Sequence, residues 1–225
     1  MISLYLHGFW GSAKEIHHPS ITSIEYTNDS QIGSEQFILN WADAFAAWIK
    51  NNWGNNPVNL IGYSQGGRLL MGLLMVDPDL INQLVLISSH PGLKTIEEKE
   101  LRLKHDRTWA KKFRNQNWIE LESEWNSQDV FKGGKPHPRN ENDFNREVLA
   151  QCLENWSLAH QPDYRKLLEA NAHKVTAIVG AEDKKYCEIY QTIQVPLIKA
   201  KGAAHRVPSD QPIHLAEILK SILKI

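Results

Sequence analysis

Residues 58–68 decide the fold and read VNLIGYSQGGR. They begin with a mostly apolar run at 58–61, typical of a buried strand, and lead into a helix-like run at 67–71. Between the two runs lies Gly-x-Ser-x-Gly, and a strand that turns into a helix at this pattern is a nucleophile elbow. The glycines are needed because side chains beside the serine would collide with the adjoining strand and helix at so sharp a corner. We therefore predict that the hydroxyl of Ser64 projects from the sheet at a helix N-terminus.

Strand and helix patterns alternate on both sides of this segment. Apolar, β-branched runs typical of buried parallel strands occur at 2–6, 58–61, 84–87 and 175–179, with weaker ones at 23–26 and 196–199. Helical patterns lie between or after them at 36–51, 67–76, about 185–192 and 212–223. The alternation predicts one α/β domain with a mostly parallel sheet and helices on both faces.

Composition excludes several other classes of protein. The 225 residues include 25 basic and 26 acidic side chains, for a net charge of −1, which argues against a general nucleic-acid or membrane-surface role. The two cysteines, Cys152 and Cys187, are far apart and in no metal-ligand spacing, which favours free thiols in a reducing compartment. Because we find no signal peptide and no apolar stretch that would span a bilayer, we expect a cytoplasmic protein.

Residues 94–169 interrupt the alternation. The segment is charged, rich in tryptophan and helical in pattern, and no part of it resembles a central strand. It lies between two predicted sheet strands, after the strand that follows the elbow. We interpret it as a helical cap over the active site, inserted into a core formed by residues 1–93 and 170–225. The alternative is a second independent domain, which would be small and polar.

The order of polar residues along the chain predicts a catalytic triad. A serine hydroxyl is a poor nucleophile or base until a histidine takes its proton and an acid orients that histidine. On a sheet of this kind the partners follow in the order serine, acid, histidine. Asp183 and His205 come after the predicted strands at 175–179 and 196–199. We therefore expect a Ser64–His205–Asp183 triad, with Glu182 as a rival acid and helix capping as an alternative role for Asp183.

Two further features surround the predicted serine. Negative charge on a substrate oxygen requires backbone donors, for which we expect the amides of Gln65 and of Phe9, in the loop HGFWGS at 7–12. The alternative for this loop is a simple strand exit. Arg68 lies about one helical turn after Ser64, so both point to the same side of the helix. A guanidinium there indicates an anionic substrate, unless Arg68 serves only to bond loop carbonyls.

The same motifs, taken together, resemble the 2-succinyl-6-hydroxy-2,4-cyclohexadiene-1-carboxylate (SHCHC) synthase family of menaquinone and phylloquinone biosynthesis, which has the α/β-hydrolase fold. The resemblance runs almost end to end. It is carried by HGF at 7–9, GYSQGGR at 62–68, SSHPGL at 88–93, DRTWA at 106–110 with Phe113, Trp125 followed by VF at 130–131, SLAHQPD at 157–163 and GAED at 180–183. The GGR ending of the elbow, the HPGL turn and the DRxWA motif discriminate best.

The resemblance implies a lyase that eliminates pyruvate from a cyclohexene ring carrying several carboxylates. Ser64, with His205 and Asp183, would abstract a ring proton, and the oxyanion hole would stabilise the negative charge that develops. The reaction needs no metal or organic cofactor, and its only implied partner is a small polycarboxylate substrate. The residues implied to bind that substrate are Arg68, Arg107, Trp125 and Phe131.

The chain departs from the family pattern in the cap. Asn126 stands where the family usually has an aromatic residue, and an arginine expected near residues 151–152 is absent. Arg139 and Arg146 are candidates to replace it, although neither matches the motif. These changes affect the expected substrate contacts more than the triad.

Two other functions fit parts of the sequence. A carboxylesterase would use the same triad through an acyl-enzyme, but a neutral-ester enzyme has no need of cations beside its nucleophile. A non-catalytic binding protein of the same fold would not require all three triad residues. For Arg107 and Trp125, spacing alone does not decide between the cavity and the solvent.

Overall fold

A computed structural model describes residues 1–26, 38–135 and 137–225. The described residues form a six-stranded sheet in the order β2-β1-β3-β4-β5-β6, in which every neighbouring pair is parallel. The strands are β1 Ser3–Leu6, β2 Thr22–Ile24, β3 Val58–Tyr63, β4 Ile81–Ile87, β5 Val175–Gly180 and β6 Leu197–Ala200. The parallel sheet predicted from the alternation of patterns is therefore confirmed.

The helices connect the strands and also form a large excursion. They are α1 Ile38–Trp53, α2 Gln65–Val76, α3 Ile96–Asn115, α4 Trp118–Asn126, α5 Arg146–Asn155, α6 Arg165–Ala170, α7 Lys184–Gln191, α8 Val207–Asp210 and α9 Pro212–Leu223. The predicted start of the first helix, at 36–37, lies outside the described residues. The four helices from α3 to α6 all lie between β4 and β5, in the segment that interrupts the pattern.

The sheet is buried on both faces, as a parallel sheet with helices on each side requires. Successive strand residues point to opposite faces, so Leu60 packs with α1 and α2 while its neighbour Ile61 packs with α9. Alternate residues of β1, β4 and β5 divide in the same way. Within the described ranges, no helix combines the length and apolar character needed to cross a membrane.

The inserted helices share an aromatic cluster of their own. Trp109, Trp118 and Trp125 pack around Phe113, and Trp10 from the loop after β1 enters the same cluster. Three of the four tryptophans of this segment therefore pack with the loop after β1, whereas Trp156 packs in the core beside the sheet. This contact places the inserted helices directly over the end of the sheet that carries Ser64.

Candidate active site

Ser64 lies at the turn between β3 and α2, with a strained φ of 49°. A Cβ on Gly62 would lie 2.4 Å from the Cα of Gly67, and one on Gly66 would lie 2.5 Å from the carbonyl oxygen of His7. No side chain fits at such distances, so glycine is required on both sides of the serine. The sharp turn predicted from the sequence is present.

The structure brings together Ser64, His205 and Asp183. The Nε2 atom of His205 lies 3.4 Å from the Ser64 hydroxyl, and its Nδ1 atom lies 2.9 Å from Oδ2 of Asp183. His205 and Asp183 are both buried. The arrangement is that of a base held in one tautomer by an acid.

Asp183 fills both of the roles that the sequence allows for it. Its second carboxylate oxygen, Oδ1, accepts a hydrogen bond from the backbone amide of Tyr186 and caps the N-terminus of α7. Its rival, Glu182, is exposed. The capping bond fixes the carboxylate so that Oδ2 faces His205.

We expect Asp183→Asn to lower kcat by about 10³–10⁴-fold, because an amide at this position favours the wrong tautomer of His205. Glu182→Gln is the matched control and should change kcat by less than about twofold, since surface substitutions of this kind have small effects. Steady-state kinetics of the two purified variants measures both values. A larger loss in Glu182→Gln than in Asp183→Asn would show that the acid is misassigned.

The two predicted oxyanion donors lie beside the serine. Gln65 is the first residue of α2, where a backbone N–H has no acceptor within the helix. Phe9 lines the same cavity as Ser64, and a Cβ on its neighbour Gly8 would lie 3.4 Å from the Ser64 Cβ. The loop after β1 therefore passes close enough for its amides to face a substrate oxygen.

An ion pair between buried His7 and half-buried Glu25 holds this loop in place. The His7 ring contacts the Gly8 carbonyl through Nδ1 and the Glu25 carboxylate through Nε2, both at 2.8 Å. Both partners are acceptors, so both ring nitrogens must donate and the imidazole is protonated. Burial lowers the pKa of His7, but the hydrogen bond and charge of Glu25 outweigh burial and raise that pKa above its ordinary value.

Ser64 opens into a cavity of about 540 Å³ between the sheet and the inserted helices. Trp125 and Phe131 are among the residues that line it, as the resemblance implies. The Phe131 ring lies 5.8 Å from the His205 ring, and the Trp125 ring lies 5.0 Å from that of Phe9. Aromatic surfaces thus surround the triad and leave room for a ring-sized substrate.

Arg68 also lines the cavity, and it is buried there. Its Nη2 donates to the carbonyl of Trp156 at 2.6 Å, and its Nη1 donates to the side-chain oxygen of Gln161 at 3.4 Å. Burial, followed by the charge of Arg102, lowers its pKa to about 10, so the side chain stays cationic at neutral pH. Arg68 therefore bonds the loop at residues 156–161 and also lines the cavity, and its role in binding an anion stays a prediction.

Arg102 of α3 lines the cavity, whereas Arg107, the residue that the resemblance implies for substrate binding, does not, so this expectation for Arg107 is corrected. Arg107 lies on the exposed face of α3. The Nε atom of Arg102 donates to both oxygens of buried Asp106, at 2.8 and 2.9 Å. The four-residue spacing of Arg102 and Asp106 places them on one helix face. This spacing is the sequence signal by which Arg102 could have been identified.

The arginines make this end of the cavity electropositive. Burial, then the charges of Lys185, Arg102 and Arg68, lowers the pKa of His90 to about 3. His90 is thus neutral at physiological pH, in surroundings that disfavour a further cation. An anionic ligand is what this region favours.

Two more arginines line the cavity and are not predicted, or only partly predicted, from the sequence. Arg206 was missed, although it directly follows His205, and Arg139 was weighed only as a replacement for an absent residue. The other candidate, Arg146, lies outside the cavity and pairs with Glu141. Among residues 1–26, 38–135 and 137–225, no cluster of three or more His, Cys, Asp or Glu residues is placed to bind a metal ion.

Comparisons with known proteins show the family of the chain. A family model described as alpha/beta hydrolase fold matches residues 23–117. A 2-succinyl-6-hydroxy-2,4-cyclohexadiene-1-carboxylate synthase from Citrobacter koseri is 31% identical over 172 residues, covering 74% of this chain and 68% of the relative. The chain belongs to the SHCHC synthase family. It is therefore an enzyme, and a lyase activity fits its named relatives.

Other members of the SHCHC synthase family and its structural neighbours extend the match. An SHCHC synthase from Escherichia coli O1:K1 is 27% identical over 98% of this chain and 93% of its own length. MenH from S. aureus superposes with a TM-score of 0.86 and 17% identity, over 100% of this chain and 93% of that one. A thermophilic esterase from Thermogutta terrifontis has a TM-score of 0.71 and 18% identity, over 100% and 89%. At these identities, the two structures show the α/β-hydrolase fold alone.

Proposed function

We propose that this member of the SHCHC synthase family eliminates pyruvate from 2-succinyl-5-enolpyruvyl-6-hydroxy-3-cyclohexene-1-carboxylate to give SHCHC, a step of menaquinone or phylloquinone biosynthesis. The observation that carries the proposal is the hydrogen-bonded Ser64–His205–Asp183 arrangement beneath a cavity with buried Arg68 in its wall. A base next to fixed cations suits proton abstraction from a polycarboxylate.

In the proposed mechanism, Ser64 acts as the base. Its hydroxyl donates to Nε2 of His205, so His205 takes that proton as the Ser64 oxygen removes one from the substrate ring. Asp183 stabilises the imidazolium that forms. The electron pair of the broken C–H bond becomes a ring double bond, and the C–O bond to the enolpyruvyl group breaks. The enolate of pyruvate leaves and takes the proton from the His205 imidazolium, which gives pyruvate and restores the neutral base.

The remaining groups bind and orient the substrate. The amides of Phe9 and Gln65 stabilise the negative charge that develops on a substrate oxygen as the proton leaves. Arg68 and Arg102 hold carboxylate groups at one end of the cavity, and Trp125 and Phe131 cover the faces of the ring. The inserted helices exclude water over residues 64–65, which strengthens these electrostatic contacts.

The test of this proposal separates elimination from hydrolysis. We expect pyruvate release from the substrate, measured by coupled oxidation of NADH with lactate dehydrogenase, and only unmodified enzyme in mass spectra taken during turnover. Elimination at a serine base consumes no water and forms no covalent adduct. An acyl group on Ser64 that forms and decays at the rate of turnover would instead establish the carboxylesterase mechanism.

A further inference from the structure

Arg139 and Arg206 form a second pair of cations in the cavity wall. Nε of Arg139 donates to the carbonyl of Trp10 at 2.8 Å, and Nη1 donates to the carbonyl of His137 at 3.0 Å. The guanidinium also lies over the Trp10 ring, 4.4 Å from its centre. Neutral acceptors and an aromatic face thus orient this cation without neutralising it.

Arg206 is held in the same manner. Its Nη1 donates to the carbonyl of Lys135 at 3.1 Å, its Nη2 donates to Oδ1 of Asn126, and the guanidinium lies 4.0 Å from the centre of the Phe131 ring. Asn126 is the position at which the chain departs from the family pattern. The amide that replaces an aromatic residue here positions a cavity arginine.

The charge of this pair is not balanced by a direct ion pair. Among the described residues, no carboxylate oxygen lies within 4.0 Å of a side-chain nitrogen of Arg139 or Arg206. Glu15, Glu122 and Asp210 act on them at longer range. Each of these acids accepts hydrogen bonds from groups other than the two guanidiniums: Glu15 from a tyrosine hydroxyl, Glu122 from the backbone amide of Arg139, and Asp210 from two backbone amides.

Burial of the Arg139 and Arg206 guanidinium groups also favours binding of an anion beside them. It lowers the pKa of both guanidinium groups, and the charge of Arg206 further lowers that of Arg139, to about 10. Both side chains remain charged at neutral pH. Two like charges that line one cavity and are partly desolvated gain free energy when an anion binds near them.

The pair formed by Arg139 and Arg206 is distinct from the pair formed by Arg68 on α2 and Arg102 on α3. Arg68 and Arg102 are held by groups at residues 156–161 and 106. Arg139 and Arg206 are held by groups at residues 10, 126, 135 and 137. All four arginines line the same cavity. A ligand that spans the cavity therefore meets two separate cationic pairs.

We propose that Arg139 and Arg206 form a second carboxylate subsite, which holds a different carboxylate of the substrate from the one bound by Arg68 and Arg102. The subsite supplies, from other positions, the cation that the family pattern places near residues 151–152. This inference rests on the proposed function for the identity of the substrate. With two subsites, the enzyme selects a ligand by the distance between two of its carboxylates.

The variants Arg139→Gln and Arg206→Gln test the subsite, with Arg146→Gln as the matched control. Arg146 also lies over a tryptophan ring and donates to backbone carbonyls of the inserted helices, but it does not line the cavity. We expect each subsite variant to raise KM for the substrate by roughly tenfold or more, since a charge-assisted hydrogen bond is worth about 1.5–3 kcal/mol. The control should retain the KM of the unaltered enzyme.

A binding cycle shows whether the loss concerns one carboxylate. Calorimetry measures the Kd of 2-succinylbenzoate, a stable aromatic dicarboxylate, and of its two monomethyl esters. Arg139→Gln and Arg206→Gln should each raise the Kd of the dianion by roughly tenfold. The Kd of one of the two esters should stay nearly unchanged, because that ester already lacks the carboxylate that the subsite binds. Arg68→Gln should show the opposite ester preference. Arg139→Lys should retain part of the affinity, because it keeps a charge without the planar fork.

Several outcomes would overturn the subsite. One is an equal rise in the Kd of the dianion and of both esters in the subsite variants. Another is a rise in KM no larger than that of Arg146→Gln. The third is that the unaltered enzyme does not bind the dianion. Failure of the proposed function gives a different result, namely no pyruvate release by the unaltered enzyme. In that case the cycle with 2-succinylbenzoate still decides whether Arg139 and Arg206 bind a carboxylate.

Discussion

Ser64→Ala is expected to lower kcat for pyruvate release by several orders of magnitude, on the order of 10³–10⁶-fold. The substitution removes an oxygen that lies 3.4 Å from Nε2 of His205 and lines the cavity. His205→Ala should cause a similar loss. Because the two residues act as one base, the double variant should be no slower than the slower single variant. Pre-steady-state and steady-state assays of pyruvate release measure all three.

The fold should survive these changes, which allows a clean interpretation of the rates. Alanine at position 64 keeps the Cβ and removes only a partly exposed hydroxyl. Thermal unfolding of the variants by circular dichroism checks this point. Near-normal pyruvate release by a folded Ser64→Ala protein would refute the assignment of the base.

Arg68→Ala is expected to reduce kcat/KM for the polycarboxylate by about two orders of magnitude or more. Charge-assisted hydrogen bonds contribute about 1.5–3 kcal/mol each, and stranding a desolvated carboxylate adds to the loss. About 1.4 kcal/mol corresponds to a tenfold change in rate. Arg68→Lys should rescue only part of this loss, because a point charge lacks the planar fork. Steady-state kinetics of the purified variants provides the values.

The structure offers a matched control in Arg107→Ala, since Arg107 is exposed on α3 and does not line the cavity. This variant should stay within about twofold of the unaltered enzyme, as is typical of surface substitutions. A small neutral ester supplies the second control, because slow side activity on it should survive Arg68→Ala. If Arg68→Ala lowered kcat/KM equally for the ester and the polycarboxylate, Arg68 would stabilise the loop at residues 156–161 and would not bind the ligand.

Much of the fold and the triad could be predicted from the sequence by itself. The buried strands of a parallel sheet are short apolar runs, and β3, β4 and β5 all include the runs identified at 58–61, 84–87 and 175–179. The serine required glycine neighbours for a steric reason that acts within a few residues. The positions of Asp183 and His205 follow from strand order, because loops at the carboxyl ends of parallel strands meet at one edge of the sheet.

Only the tertiary structure decided which arginines face the cavity. Helix α3 reads IEEKELRLKHDRTWAKKFRN and is charged around most of its circumference, so its periodicity does not mark an inner face. Packing against α5 and the aromatic cluster turns Arg102 inward and Arg107 outward. Arg139 and Arg206 face the cavity because Trp10, Asn126 and Phe131, distant in sequence, supply their acceptors and ring contacts. Local sequence determines strands, turns and caps, whereas the direction of a long, flexible cation depends on partners that the folded chain brings to it.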